Sequence, residues 1–365
     1  MQAAVLRTTD TPLPSLTVES VDLDKPAPYE VLIRTVATGV CHSDLHYLQG
    51  KSRMAMPAVL GHEGAGIVEA VGDAVTYVKP GDHVIACVST FCGVCEYCLS
   101  GMPYRCNGRA ATSRGASEPA RLTAGGENLG QHGGLGTFAE SMLVHENSVV
   151  KVREDMPLDR AALIGCGVTT GMGAVLNTAK VEAGSTVAVF GAGGIGLSAV
   201  QGARIAGART IIAVDVNEYK LKTAREFGAT HTVDASAGDP VEHIRKLTGG
   251  GVDYSFEAIG LKETYKQCFD SIRVEGTATV IGLMPIGETL ELDGRSFFRG
   301  RFQGSMMGSN RFRLDMPKYV EFYMQGKLRL DEMITRRGHL NDGDVKEAFR
   351  AMEAGEVVRT VLTFD

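Results

Sequence analysis

The stretch T-V-A-V-F-G-A-G-G-I-G, residues 186–196, decides the fold. A short apolar run leads directly into a G-x-G-x-x-G spacing, and a helical pattern over residues 195–207 follows at once. An unbroken apolar run is typical of a strand buried on both faces of a parallel sheet. Residues 211–215, I-I-A-V-D, predict the next strand. Strand, glycine turn, helix and strand in this order form the dinucleotide-binding fingerprint.

Each position of the glycine turn has a physical role. Gly191 and Gly193 allow a tight turn and a close approach of a pyrophosphate to the backbone. Gly196 lets the helix lie close to the strand. Gly194 and Ile195 open the helix, whose N-terminus attracts the phosphates. The alternative is an ordinary glycine-rich turn between a strand and a helix.

An acidic residue, Asp215, ends the second strand, where such a residue hydrogen-bonds the ribose 2′-OH of the cofactor. Its charge would repel a 2′-phosphate, so the motif favours NAD over NADP. Lys220 lies one helical turn further on, where it reaches either a ribose hydroxyl or solvent. Helical and strand patterns then alternate to residue 283. This alternation predicts a doubly wound α/β domain with a parallel sheet.

The preceding region, residues 1–85, has a different pattern. Period-two runs at 29–38, 64–72 and 82–88 predict strands, and Pro and Gly separate them. We expect an irregular, mostly antiparallel β region that carries ligands on its loops. The closing R-T-V-L-T-F-D predicts a strand that returns to this region.

Two candidate zinc ligands lie in the β region, Cys41 in C-H-S-D-L-H and His62 in G-H-E. A catalytic zinc takes three protein ligands and keeps a fourth position open. By itself, such a pair is also consistent with a buried thiol and a core histidine. The pair is surrounded by groups suited to proton transfer or to orienting a ligand: Ser43, Asp44, His46 and Glu63.

Four more cysteines, Cys92, Cys95, Cys98 and Cys106, have the spacing C-x2-C-x2-C-x7-C. Four thiolates on one lobe can close a tetrahedral shell around zinc, which makes a structural site. The alternative is an iron–sulfur cluster, whose signature has a shorter last interval followed by proline. Here Asn107 follows the fourth cysteine, and we predict structural zinc.

Residues 107–136 are rich in Gly, Ser and Ala, and we expect an exposed, solvated loop. Its arginines are alternatively part of a substrate or subunit surface: Arg109, Arg114 and Arg121. The stretch that starts at residue 155 begins as a helix and brings Cys166, between two glycines, onto a loop that leads to the next domain. Cys166 is the candidate third ligand for Cys41 and His62.

Composition excludes several classes of function. The 365 residues exceed one hydrophobic core, so two domains are expected. The net charge is −6 without a long run of either sign, which argues against nucleic acid and membrane surfaces as partners. We see neither a secretory signal pattern nor an apolar stretch able to span a bilayer. Five of the eight cysteines fall within 87–106, which indicates metal binding in a cytoplasmic enzyme rather than disulfides.

Six motifs, in order over essentially the whole chain, resemble those of the zinc-dependent medium-chain alcohol dehydrogenases: C-H-S-D, G-H-E, the four-cysteine lobe, G-C-G-V-T-T-G, G-A-G-G-I-G and G-E-V-V-R-T-V-L-T-F. The resemblance implies a Rossmann coenzyme domain inserted in a mostly β, GroES-like catalytic domain. We place the catalytic domain at 1–167, with the structural-zinc lobe at about 88–108. The NAD-binding domain is expected at 168–306, and the return to the catalytic domain at 307–365.

The resemblance also implies two zinc ions per subunit and NAD. Cys41, His62 and Cys166 would hold the catalytic zinc, a Cys2His set for which alcohol dehydrogenase is itself the reference case. Cys92, Cys95, Cys98 and Cys106 would hold the structural zinc. By similarity, four residues contact the cofactor: Thr170, Ile281 and Leu283 at the nicotinamide and Arg359 at the pyrophosphate. His42 replaces an arginine of many relatives, which weakens a phosphate contact and would speed cofactor release.

The implied mechanism starts with zinc, which lowers the pKa of a bound alcohol. The proton passes through Ser43 and a ribose hydroxyl to His46, and hydride leaves the zinc alkoxide for the nicotinamide. We expect oxidation of a primary alcohol to an aldehyde and the reverse reduction. A bulky or aromatic substrate suits the candidate pocket residues Val88, Leu283, Met284, Met306 and Met307.

Alternatives remain open. A branch of the same family oxidises S-(hydroxymethyl) thiols, the adducts of formaldehyde. Non-catalytic NAD-binding proteins and enzymes acting on C=C bonds share the fold, but such proteins usually lack the zinc ligands. The 107–136 loop is long, like that of dimeric relatives and unlike the shorter loop of tetrameric ones, so the resemblance favours a homodimer, with a tetramer as the alternative.

Overall fold

The computed structural model describes residues 1–9, 16–115 and 117–364. The chain forms two compact units, of which the first contains Met1–Cys166 and Arg311–Asp365 and the second contains Gly167–Asn310. The second unit is therefore inserted in the first. The sequence placed the two transitions after residues 167 and 306. Residues 10–15, 116 and 365, which belong to the predicted catalytic domain, loop and C-terminal segment, lie outside the described residues.

Short strands dominate the first unit: β1 Gln2–Leu6, β2 Leu16–Ser20, β3 Asp22–Leu23, β4 Glu30–Val40, β5 Ala58–Val59, β6 Glu63–Val71, β7 His83–Ala86, β8 Leu122–Ala124, β9 Glu127–Asn128, β10 Gly130–Gln131, β11 Ser141–His145 and β12 Val149–Lys151. Three helices accompany them: α1 His42–Leu48, α2 Glu96–Leu99 and α3 Leu158–Leu163. β4, β6 and β7 correspond to the period-two runs, and they pair antiparallel as expected. Their inward side chains, Val31, Ile33, Val68 and Val84 among them, form a buried cluster.

The second unit is built on six strands: β13 Thr186–Phe190, β14 Thr210–Asp215, β15 His231–Asp234, β16 Val252–Glu257, β17 Ile272–Val280 and β18 Gly300–Gly304. All neighbours pair parallel, in the order β15-β14-β13-β16-β17-β18. Five helices belong to this unit: α4 Thr169–Gly173, α5 Gly194–Ile205, α6 Glu218–Glu226, α7 Pro240–Thr248 and α8 Lys262–Asp270. All residues of β13 are buried, and the strand order reverses at β13. The predicted doubly wound sheet is confirmed. β18 was not predicted, because G-R-F-Q-G lacks an apolar run.

The C-terminal part returns to the first unit as α9 Phe312–Met324, β19 Ile334–His339, α10 Asp342–Glu353 and β20 Arg359–Thr363. β20 pairs antiparallel with β4, with Thr360 opposite Val40, so the predicted return strand is confirmed. The apolar face of α10 joins a buried cluster that contains Leu6, Leu60 and Phe138. Residues from both ends of the chain therefore build one core.

The prediction of a solvated loop at 107–136 is wrong for two of its arginines. The segment contains β8, β9 and β10, and the side chains of Arg114 and Arg121 are only 9% and 12% exposed. Both donate to the buried carboxylate of Glu30, with Arg121 Nε at 2.6 Å. A buried carboxylate needs such donors because desolvation of an unpaired charge is costly.

The prediction that Cys166 lies on a loop is also wrong. The chain stays helical from Leu158 to Ala179, and Cys166 lies in a π-helical turn, Ile164–Val168, between α3 and α4. Such turns are wider than an α-helical turn and are frequent at functional sites. By length and composition this helix could cross a membrane, the one such helix among the described residues. However, 83% of its apolar window is buried, as in the core helix of a globular domain.

Candidate zinc and cofactor sites

Cys41, His62 and Cys166 converge in the first unit. Gly39 of β4 lies opposite Glu63 of β6, so Cys41 and His62 come together at the same end of this strand pair. The π-helical turn supplies Cys166. The ligand atoms of these three residues and of Glu63 all lie within 4.8 Å of one another. All four side chains are buried.

This donor set fits zinc. A hydrogen bond from Cys166, together with the attraction of His62, overcomes burial and lowers the pKa of Cys41 well below its usual range. The same hydrogen bond and burial raise the pKa of Cys166. Zinc binding requires both sulfurs as thiolates, so a divalent cation would displace the remaining thiol proton. Two thiolates and one imidazole are the ligands of a tetrahedral zinc with one position left for a substrate.

The two carboxylates beside these ligands have different partners. Asp44 lies next to His62, with His62 Nδ1 3.2 Å from Asp44 Oδ2. Glu63 forms a buried ion pair with Arg359 instead. Burial raises the pKa of Glu63 to about 7, although the charge of Arg359 acts in the opposite direction. The predicted contact of Arg359 with a pyrophosphate stays a prediction, and the pairing with Glu63 is a role that the sequence did not suggest.

The residues of the proposed proton path lie on α1, which Cys41 precedes as N-cap. Ser43 Oγ is 3.8 Å from Cys41 Sγ. His46, half-buried, follows three residues later, and this spacing places it on the same side of the helix as Ser43. Burial, followed by the charge of Lys51, lowers the pKa of His46. His42 is exposed at the first position of α1.

The four cysteines of the lobe at about 88–108 form a second, self-contained site. The sulfurs of Cys92, Cys95, Cys98 and Cys106 lie within 4.8 Å of one another. The backbone N–H groups of Cys92 and Cys95 donate to the sulfurs of Cys106 and Cys92, at 3.2 and 3.4 Å. Backbone donors, the largest from Cys98, lower the pKa of Cys95 to about 6. Four sulfurs with thiolate-stabilising donors form a closed, structural type of zinc site.

The glycine turn has the geometry that its sequence predicts. Gly191 has a φ of 93°, in the left-handed region. A Cβ on Gly196 would lie 1.7 Å from the Gly191 carbonyl oxygen, so only glycine lets α5 approach the turn. A Cβ on Gly193 would meet nothing within 4 Å, which leaves space for a phosphate before α5. Asp215 Oδ2 accepts from the Ala192 N–H at 2.8 Å and thereby ties β14 to the turn.

The other predicted contact residues are distributed over both units. Thr170 is buried in α4, with its hydroxyl 3.6 Å from Met307 Sδ. The Ile281 N–H donates to the Glu257 carbonyl at 2.8 Å, whereas Leu283 and Met306 are exposed. The contacts of these residues, and of Gly194, Ile195, Lys220, Val88 and Met284, with cofactor or substrate stay predictions.

Comparison with known proteins gives the same organisation. Residues 27–154 match the alcohol dehydrogenase GroES-like domain, and residues 194–325 match the zinc-binding dehydrogenase domain. A class-3 alcohol dehydrogenase of Cereibacter sphaeroides is 41% identical over 96% of both chains. The chain belongs to the zinc-dependent medium-chain alcohol dehydrogenase family.

Solved structures extend the similarity to three dimensions. An alcohol dehydrogenase zinc-binding domain protein of Burkholderia ambifaria has a TM-score of 0.93 and 37% identity, covering 100% of this chain and 98% of the other. The benzyl alcohol dehydrogenase of Acinetobacter calcoaceticus has a TM-score of 0.92 and 33% identity, covering 100% and 99%. This alcohol dehydrogenase therefore uses zinc and NAD(H), with a catalytic zinc site that includes Cys41 and His62 and a structural site at the four-cysteine lobe.

Sequence reasoning missed one residue of this alcohol dehydrogenase site. His132 is buried, and its Nδ1 lies 2.6 Å from Asp44 Oδ1. The residue stands alone in Q-H-G-G, within a stretch that we expected to be a loop. No ligand spacing marks it, so only the fold brings it to the site.

Proposed function

We propose that this alcohol dehydrogenase oxidises a bulky or aromatic primary alcohol to the aldehyde with NAD, and catalyses the reverse reduction. The convergence of Cys41, His62 and Cys166 carries the proposal. When bound, zinc supplies Lewis-acid polarisation of the substrate oxygen and NAD supplies the hydride acceptor. The three donors would hold the metal, and the glycine turn before α5 would hold the pyrophosphate.

The remaining work falls to α1. Ser43 relays the hydroxyl proton of the substrate, since its Oγ would accept that proton while releasing its own. A bound cofactor's ribose hydroxyl would connect Ser43 to His46, and His46 would accept the released proton and pass it to solvent. Burial and Lys51 lower the pKa of His46, so its imidazole is neutral at neutral pH and free to accept. The short helix holds both groups on one side, which supports this assignment.

Two observations support an uncharged alcohol as substrate. The similar structure from Acinetobacter calcoaceticus is a benzyl alcohol dehydrogenase. In addition, Arg114 and Arg121 are paired with Glu30, and Arg109 donates to the Tyr104 carbonyl. The charges of Arg114 and Arg121 are therefore paired with Glu30, and these two cations are not available to an anionic substrate.

An S-(hydroxymethyl) thiol is the second candidate, because the relative with 41% identity is a class-3 alcohol dehydrogenase. A peptide-like thiol adduct carries carboxylates, and recognising them would require exposed cations near the site.

The test is a panel of benzylic, aliphatic and thiol-adduct substrates with NAD. Turnover is measured as the increase in absorbance of the reduced cofactor. We expect the highest kcat/KM for a benzylic alcohol, and loss of turnover on chelation. A Cys41→Ala variant should retain one zinc per chain and lose roughly 1,000-fold in kcat/KM, because Lewis-acid activation contributes several kcal/mol. Undiminished turnover in this variant would refute the assignment of the site, and a preference for the thiol adduct would select the second candidate.

We further propose a cytoplasmic homodimer. None of the eight cysteines, all of which lie in the described part of the chain, forms a disulfide, which suits a reducing compartment. Several large apolar side chains of the second unit are exposed around 283–298, with Ile286 and Phe298 both 89% exposed. Large exposed apolar side chains are a feature of interaction sites when they form a patch, which supports this segment as a subunit surface. Light scattering during size exclusion should give twice the monomer mass, and Phe298→Glu should shift it towards the monomer.

A further inference from the structure

One carboxylate in the first unit, Asp44, receives hydrogen bonds from three directions. It is completely buried on α1. Its Oδ1 accepts from the Gly61 N–H at 2.9 Å and from His132 Nδ1 at 2.6 Å. His62 Nδ1 lies 3.3 Å from Oδ1 and 3.2 Å from Oδ2. An ionised carboxylate can only accept, so both imidazoles must carry their proton on Nδ1.

This arrangement determines which nitrogen of His62 is available to the metal. With Nδ1–H directed at Asp44, the lone pair of His62 is on Nε2, which is then the nitrogen available beside the sulfurs of Cys41 and Cys166. The partner of a ligating imidazole fixes both its tautomer and its ring orientation. Asp44 can do so only while its own orientation is fixed, and the shortest bond that fixes it comes from His132.

The surrounding structure holds His132 rigidly. Its ring meets the edges of the His62 and Tyr47 rings, with both centroid distances at 4.6 Å. Its carbonyl accepts from the Leu135 and Gly136 N–H groups, which closes a tight turn. At Gly133, φ is +62° and a Cβ would lie 2.6 Å from Val88 Cγ1, so this turn requires glycine.

Asp44, His62 and His132 could also be read as a separate metal site, because their ligand atoms lie within 4.8 Å of one another. The separation of 2.6 Å between Asp44 Oδ1 and His132 Nδ1 argues against it. Such a distance is that of a hydrogen bond with the proton between the two atoms.

We propose that His132 is a positioning residue for the catalytic zinc, which acts through Asp44 on the ligand His62. The inference rests on zinc binding at Cys41, His62 and Cys166, and not on the identity of the substrate. In this assignment His132 is not itself a ligand of the zinc. Its loss should weaken metal retention at this site alone, and the four-cysteine site should be unaffected.

Two substitutions separate the hydrogen bond from the packing. His132→Phe keeps an aromatic ring against Tyr47 but removes the donor. His132→Asn removes the ring but keeps an N–H at the position of Nδ1. The enzyme with both zinc sites filled is mixed with a chromogenic chelator, and the time course of zinc release is recorded. This time course should contain one kinetic phase for each zinc site. We expect His132→Phe to release the catalytic zinc about 10- to 100-fold faster, with the other phase unchanged, and His132→Asn to stay within about threefold of the wild type.

The cobalt-substituted enzyme gives a second readout, because its visible absorption reports ligand geometry. We expect a shifted spectrum for His132→Phe and not for His132→Asn. Wild-type zinc release and spectrum in His132→Phe would overturn the proposal, and so would equal acceleration in both variants, which would assign the effect to packing. His132→Leu, smaller than the ring, serves the same test if phenylalanine prevents folding. None of these measurements requires turnover, so a wrong substrate assignment leaves them intact.

Discussion

At the residue scale, the ion pair between Glu63 and Arg359 is a charged contact buried beside the zinc ligands. Arg359 is 6% exposed and Glu63 is inaccessible to solvent. Arg359→Met should lower the free energy of unfolding of the first unit by about 3–5 kcal/mol, because it leaves a buried carboxylate without its partner. The midpoint of urea unfolding, followed by circular dichroism, measures this loss.

The same measurement has two controls. In the double variant that combines Arg359→Met with Glu63→Gln, no unpaired charge remains. A large part of the lost free energy of unfolding should therefore return. Arg350→Met removes an exposed partner of Glu347 and Glu356 and should leave the midpoint unchanged. If Arg359→Met unfolds at the wild-type midpoint, the buried pair has no net role in stability.

His46 provides a pH-dependent prediction at the same scale. Burial and then Lys51 lower its pKa below the ordinary 6.5, so the neutral, proton-accepting form persists as pH falls and is lost only below that value. The kcat for alcohol oxidation should therefore fall with decreasing pH, with a midpoint below pH 6.5. His46→Gln should abolish this fall and lower kcat roughly 100-fold. Lys51→Met removes the neighbouring positive charge and should move the midpoint of this fall in kcat to higher pH. A pH profile of kcat that is identical in all three proteins would contradict the role of His46.

At the scale of elements, two glycines of the turn between β13 and α5 have different roles: Gly196 is needed for folding, and Gly193 for cofactor binding. In Gly196→Ala the new Cβ would overlap the Gly191 carbonyl oxygen, so α5 must shift, at a cost of about 3 kcal/mol in stability. In Gly193→Ala the Cβ points into open space, so the fold should be intact. The methyl group would occupy space expected for the pyrophosphate, and the Kd for NADH should rise about tenfold, which corresponds to 1.4 kcal/mol. Thermal unfolding and NADH fluorescence titration measure the two effects, and unchanged NADH binding in Gly193→Ala would place the phosphates elsewhere.

At the scale of the whole molecule, the two units differ in how the chain builds them. The second unit is continuous in sequence, whereas the first needs β20 paired with β4. A fragment of residues 167–310 should therefore unfold cooperatively and bind NADH. A fragment of residues 1–166 should not unfold cooperatively, because it lacks β20 and the apolar face of α10. Cooperative unfolding of the 1–166 fragment in circular dichroism would show that the return segment is dispensable.

The sequence by itself determined the features that depend on spacing along a short stretch. The glycine turn, the parallel strands around it and the four-cysteine lobe are of this kind, since neighbours in sequence supply all the necessary groups. The return of a C-terminal strand to the first β region was also predicted, from the R-T-V-L-T-F-D stretch, whereas its pairing with β4 was not. The sequence did not predict the pairing of Arg114 and Arg121 with Glu30, because composition does not reveal a distant partner. It also did not predict that Cys166 lies in a helix.

Only the tertiary structure decided the partners of buried charged and polar groups. His132 meets Asp44 across 88 positions of sequence, Arg114 meets Glu30 across 84, and Arg359 meets Glu63 across 296. A buried carboxylate must be satisfied by some donor, but the strand pairing and the turns select which donor arrives. The zinc ligands can therefore be predicted from the sequence, whereas the groups that orient those ligands can be identified only in the folded structure.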